Sequence, residues 1–80
     1  MVISSAVVEI INGSSETVVN SLAGIDNVSV FGIKDNQIVA VIEDGDIWGI
    51  QDTIKKIYGI KSVVGVYPVY AGYQDEQEPG

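Results

Sequence analysis

The 80-residue chain contains no cysteine and no histidine. Without cysteine it has neither a disulfide nor a thiol nucleophile, and without histidine it lacks the usual general base and the commonest metal ligand. The adjacent hydroxyls of Ser4 and Ser5 therefore have no base at hand to activate them for nucleophilic catalysis. We expect a protein that is not an enzyme and that has no cofactor and no metal site.

Basic side chains are few, with 4 lysine or arginine residues against 11 acidic ones and a formal net charge of −7. This balance argues against nucleic acid, since phosphate binding needs a basic surface, and it suits either a basic partner or solubility alone. No apolar run approaches the length of a membrane span. Residues 1–5 lack the basic region of a secretory signal, so we expect a cytoplasmic protein with no stable membrane association.

Carboxylates cluster in one short segment, Glu43-Asp44-Gly45-Asp46. A calcium loop spreads its ligands over about twelve residues and closes with a glutamate, a spacing that this segment lacks. We interpret it as a solvated loop in which Asp46 caps a helix. The glycines are scattered and show no phosphate-binding spacing.

Hydrophobic periodicity predicts strands over residues 3–11, 28–33, 37–43 and 62–70. Helices are predicted between Ser14 or Ser15, either of which can cap, and Gly24, and between Asp46 and Gly59. The second helix has its apolar stripe at helical spacing, and we expect the neighbouring Trp48 to cover the core. That stripe consists of Ile47, Ile50, Ile54 and Ile57.

This order of elements predicts an α+β, ferredoxin-like βαββαβ fold: a four-stranded antiparallel sheet, order 4-1-3-2, with both helices on one face. In that order strand four is an edge strand, where Pro68 is tolerated, and strand three is internal, which suits its apolar residues 38–42. We predict one domain over residues 1–70 and an acidic, disordered tail over 71–80.

The sheet face that carries no helix is the main functional signal. Strand alternation places Ala6, Val8 and Ile10 in the core, with Val64 and Val66, and leaves the other parity, including Val63, open. An apolar open face suits docking of an amphipathic helix or another sheet, or else self-association. The candidate binding residues on it are Ser5, Val7, Glu9, Val39, Val41, Glu43, Gly65, Tyr67 and Val69.

Three segments resemble the NapD family: residues 3–8 (ISSAVV), 37–43 (QIVAVIE), and 63–70 (VVGVYPVY) ahead of an acidic, glutamine-rich tail. The resemblance extends over nearly the whole chain. It implies a ferredoxin-like fold and a small cytoplasmic chaperone for the periplasmic nitrate reductase.

It further implies binding of the twin-arginine signal peptide of the catalytic subunit NapA, or of a related molybdoenzyme, so that export waits until the molybdenum cofactor is inserted. Glu9, Glu43 and the tail would attract the arginines, while valines and Tyr67 would contact the apolar side. We expect a monomer or weak homodimer. The alternative, from another class, is a homodimeric small-molecule-binding regulatory domain of the same fold.

Overall fold

A computed structural model describes residues 1–73, with side chains described as far as residue 69. Its four strands form one antiparallel sheet in the order β2-β3-β1-β4, with two helices, so the predicted ferredoxin-like fold and strand order are confirmed. The elements are β1 (Val2–Ile10), α1 (Ser15–Ala23), β2 (Val28–Lys34), β3 (Gln37–Asp44), α2 (Ile47–Tyr58) and β4 (Val63–Tyr73).

The last strand extends beyond the residues predicted for it. β4 continues to Tyr73, which pairs with Val2, and so passes the predicted domain boundary at residue 70. Residues 74–80 of the predicted tail lie outside the described residues. Within residues 1–73, no helix has the length and apolar character needed to cross a membrane.

One face of the sheet, here called the covered face, packs against both helices. Every second residue of β1 from Val2 to Ile10 is at most 3% exposed, which is the alternation predicted for this strand. The residues between them point to the opposite face, here called the open face. The core under the helices also contains Val18, Leu22, Ile38, Ala40, Ile42, Ile50 and Ile57.

Helix α2 begins as predicted, because the Asp46 carboxylate accepts a hydrogen bond of 2.8 Å from the Gly49 amide. Its apolar stripe is only partly as predicted, since Ile47 is exposed. The expectation for Trp48 was wrong: its side chain is 70% exposed. At about 100° per residue, Trp48 lies on the side of the helix opposite Ile50, and therefore faces away from the sheet.

Helix α1 begins differently. Ser14 occupies the N-cap position that the sequence predicts, but its side chain makes no capping hydrogen bond. Its hydroxyl instead donates to the Ile11 carbonyl at 2.6 Å. Packing of Val18 and Leu22 under the helix therefore stabilises α1 more than its first turn does.

A hydrogen-bond network ties the loop before β2 to the end of β3 and to α2. The Asn27 side-chain amide donates to the Thr53 hydroxyl at 2.8 Å and to the Asp44 carboxylate at 3.3 Å. The Thr53 hydroxyl in turn donates to the Gly49 carbonyl at 2.9 Å. Asp46 thus caps α2 as predicted, whereas Asp44, which was expected to lie in a solvated loop, accepts a bond from the Asn27 side chain.

Candidate peptide-binding face

The floor of the open face is formed by the two central strands, β1 and β3. Ser5 pairs with Val41, and Val7 pairs with Val39. Paired residues of antiparallel strands project to the same face, so these four side chains form one continuous patch. The patch is small-featured and apolar apart from one hydroxyl, as the sequence predicts.

A carboxylate stands at each end of this floor. Glu9 pairs with Gln37 at one end, and Glu43 pairs with Ile3 at the other. At about 3.3 Å per residue, the stretch of β1 between these two positions is about 20 Å long. The open face is therefore an apolar strip with negative charge at both ends.

Strand β4 adds an aromatic side chain to the strip. Tyr67 pairs with Val7, and Gly65 pairs with Glu9. The Tyr67 ring leans over Gly65, where an added Cβ would come within 2.8 Å of the ring carbon Cζ. Its hydroxyl donates to the Glu9 carboxylate at 3.3 Å. A side chain at position 65 would therefore displace the ring from this pose.

The Tyr67 side chain is 54% exposed, and its hydroxyl lies beside the Glu9 carboxylate. The negative charge of Glu9 raises the pKa of Tyr67 above its ordinary value of 10.0, and the hydrogen bond to Glu9 raises it further. A phenolate beside a carboxylate is unfavourable, so the neutral, donating form of Tyr67 is preferred.

Two irregularities in β4 correct the predicted strand-four parity. Val63 pairs with Ile10 and packs against the core, so placing it on the open face was wrong. Val64 has no partner at the first bulge and is exposed, so placing it in the core was also wrong. Each bulge inserts one unpaired residue and so interrupts the period of two.

The remaining strand-four candidates are placed as follows. Val66 pairs with Val8 and packs against the core, as predicted. Gly65 and Tyr67 lie on the open face through their partners. Val69 falls at the second bulge, between the pairs of Ala6 and Ser5, and its exposed side chain lies at the edge of the sheet without a cross-strand partner.

The edge strand β2 contributes residues that the sequence reasoning missed. Ser29 pairs with Val41 and Gly32 pairs with Val39, so both belong to the open face. Between them, Phe31 lies at a bulge and is 82% exposed. The available signal was a glycine within a strand, which often marks a bulge, directly after an aromatic residue.

The sequence also matches a known protein family. A family model described as "NapD protein" matches residues 1–76. The chain belongs to the NapD family. The family resemblance noted in segments 3–8, 37–43 and 63–70 is therefore confirmed.

A solved NapD structure matches as well: the solution structure of the E. coli Tat proofreading chaperone protein NapD. The TM-score is 0.81 at 23% sequence identity, over 94% of this chain and 80% of that chain. At this identity the match shows a shared fold. No curated protein matches the chain.

Proposed function

We propose that this chain is a non-enzymatic cytoplasmic chaperone that binds the twin-arginine signal peptide of an exported enzyme. Membership of the NapD family supports the chaperone role. The solved relative with the same fold is described as a Tat proofreading chaperone, which supports a signal peptide as the ligand. The client is the nitrate reductase catalytic subunit, NapA, or a related molybdoenzyme.

The observation that carries the proposal is the open face itself. In this mechanism the signal peptide becomes helical on the sheet, with its apolar side on Val7, Val39 and Val41. Tyr67 and Val69 contact it from the β4 side. A helix laid in an apolar groove is a common way for small domains to recognise amphipathic peptides.

Glu9 and Glu43 attract the arginines of the peptide. Carboxylates at the ends of a binding face raise the association rate more than the final affinity. The formal net charge of −7 acts in the same direction over a longer range. Since ordering the peptide costs free energy, the affinity comes from a few apolar anchors rather than from the total contact area.

Binding of the signal peptide delays export. While the peptide lies on the open face it is not available to the export machinery, and the precursor has time to receive its molybdenum cofactor. Release of the peptide then commits the loaded enzyme to export. The proposal requires no reaction by the chaperone, only reversible binding.

A titration tests the binding face. Calorimetry measures the affinity of a synthetic peptide that carries two adjacent arginines ahead of an apolar segment. We expect Val41→Asp and Tyr67→Asp each to abolish binding, because each places a charge within the apolar strip. Trp48→Asp is the matched control, since Trp48 is exposed on α2, away from the open face.

Circular dichroism shows whether each variant still folds. Tyr67 is largely exposed, so Tyr67→Asp keeps the test valid if Val41→Asp unfolds the domain. If the peptide still binds both folded variants, the open face is not the binding site.

A further inference from the structure

Two aromatic side chains flank the open face, one on each edge strand. We infer that Phe31 and Tyr67 are the walls of a groove one helix wide, and that a bound peptide helix lies between them, parallel to β1 and β3. The inference rests on the proposed function, and it adds an orientation and a second aromatic contact to it.

The two aromatic residues stand at opposite ends of a single row across the sheet. Tyr67 on β4 pairs with Val7, Val7 pairs with Val39, and Val39 pairs with Gly32 on β2. Phe31 directly precedes Gly32, at the bulge. The row thus runs from Tyr67 through two valines to Gly32, and Phe31 lies directly beside its β2 end.

Phe31 follows Val30, which pairs with the buried Ala40 of the covered face. The bulge interrupts the alternation here, so Phe31 is placed by its neighbour Gly32, whose partner Val39 belongs to the open face. The 82% exposure of Phe31 means that no other described part of the chain packs over the ring. With the exposed Val39 and Tyr67 it adds to one apolar patch, and such patches mark binding sites.

The width of the row suits one helix. Three strand spacings of about 4.8 Å separate the edge strands by about 14 Å. An α-helix with its side chains is about 10–12 Å across, so it fits between the two walls with its apolar side on the valines. A helix running across the strands would instead have to pass over both rings.

The length and charge of the groove also fit a basic amphipathic helix. The strip between the carboxylate positions is about 20 Å long, which is about 13 residues of helix. Glu9 and Glu43 place negative charge at its two ends, so an arginine pair at one end of the peptide meets a carboxylate whichever way the helix runs. The occupant is therefore a peptide with a basic end and an apolar segment behind it.

Tyr67 is the more rigid of the two walls. Its hydroxyl is held by Glu9, and Gly65 leaves room for the ring to lie close to the sheet. Phe31 has no polar group to tether it. Tyr67 thus presents a preordered surface, whereas Phe31 can adjust to the side chains of the occupant.

Photo-cross-linking tests the orientation. A photoreactive phenylalanine analogue is placed at position 31 or at position 67 of the full chain, and the twin-arginine synthetic peptide is added. We expect both positions to label the same helical turn of the peptide, on opposite flanks about two residues apart. Labels near opposite ends of the peptide would show a helix that crosses the strands and would overturn the inference.

Affinities provide the second measurement. Phe31→Ala and Tyr67→Ala are each expected to weaken binding about tenfold or more, as buried aromatic anchors do. Ile33→Ala is the matched control: it lies on the same strand as Phe31, pairs with Ile38 of the covered face and is partly exposed. We expect unchanged affinity for this control.

The outcomes separate the two proposals. If the unmodified chain does not bind the peptide, the proposed function fails. If it binds normally and Phe31→Ala binds equally well, the proposed function stands, and Phe31 is not a wall of the groove.

Discussion

The covered and open faces of the sheet are built from the same kinds of residue but have different roles. On β3, Ile38, Ala40 and Ile42 are completely buried beneath the helices, while Val39 and Val41 between them face away. Both sets are β-branched or small and apolar. Composition alone therefore does not distinguish the core of this domain from its exposed surface.

The difference between the faces lies in what covers them. Helices α1 and α2 supply the covered face with its partners within the chain, so its apolar residues contribute to folding. The open face has no such cover within the described residues. A strand that is apolar on both faces thus indicates two covered surfaces, and here the second cover is expected to come from another molecule.

The largest expected effect separates the two faces on one strand. Ile42→Ala should lower the free energy of unfolding by about 2–5 kcal/mol, since it leaves a cavity in a buried core. Val41→Ala, the adjacent residue on the open face, should cost about 1 kcal/mol or less. Urea denaturation of both variants measures the difference.

The same two variants should reverse their order in peptide binding. Val41→Ala should weaken binding, whereas Ile42→Ala should retain it as long as the protein stays folded. Equal losses of stability from both substitutions would mean that the two faces contribute alike to folding, and the distinction between them would fail.

The two helices that cover the sheet begin differently, so substitutions at their N-cap residues should lower the stability of the domain by different amounts. Asp46→Ala removes a capping hydrogen bond from α2 and should cost about 1 kcal/mol. Ser14→Ala removes no capping bond from α1 and should cost at most a few tenths of a kcal/mol. Thermal melts suffice, since about 1 kcal/mol shifts the Tm by about 4–8 °C in a domain of this size.

The smallest expected effect concerns the Tyr67–Glu9 pair on the open face. Glu9→Gln removes the neighbouring negative charge, so the pKa of Tyr67 should fall back towards 10.0. NMR of ¹³C-labelled tyrosine as a function of pH measures it, and Glu43→Gln, at the other end of the strip, should leave it unchanged.

The raised pKa of Tyr67 also determines the direction in which the stability of the domain changes with pH. Because the pKa is raised in the folded state, the contribution of Tyr67 to stability is fully present below pH 10.0 and is lost as the pH rises through the raised value. Glu9→Gln should weaken this dependence. If the Tyr67 pKa does not respond to the change, the hydroxyl and the carboxylate do not interact in solution.

Much of the open face was predictable from the sequence. The alternation of β1 and β3 correctly placed Val7, Glu9, Val39 and Val41 opposite the core, because regular strands repeat with a period of two. The turn between β2 and β3 also depends on local sequence, since Asp35 there adopts a φ of 56°, which aspartate tolerates. The Asp46 cap depended only on neighbouring residues.

The edge strands were not predictable in this way. A bulge shifts every later residue to the other face, and a local signal such as Gly32 indicates that one can form but not where the neighbouring strand places it. Val63, Val64 and Phe31 all lie at or beside such bulges. Trp48 was misplaced for a different reason: the prediction followed its apolar character, although helical spacing already puts it about 200° around the helix from the buried Ile50.

By itself, the sequence determined the order of the elements, the covered parity of the central strands, the edge position of the proline strand and the resemblance to the NapD family. These depend on short-range periodicity and on the few topologies open to such an order. Only the tertiary structure aligned Tyr67, Val7, Val39 and Gly32 in one row, with Phe31 beside its end. Cross-strand register arises from contacts between segments distant in the chain, and no local pattern contains it.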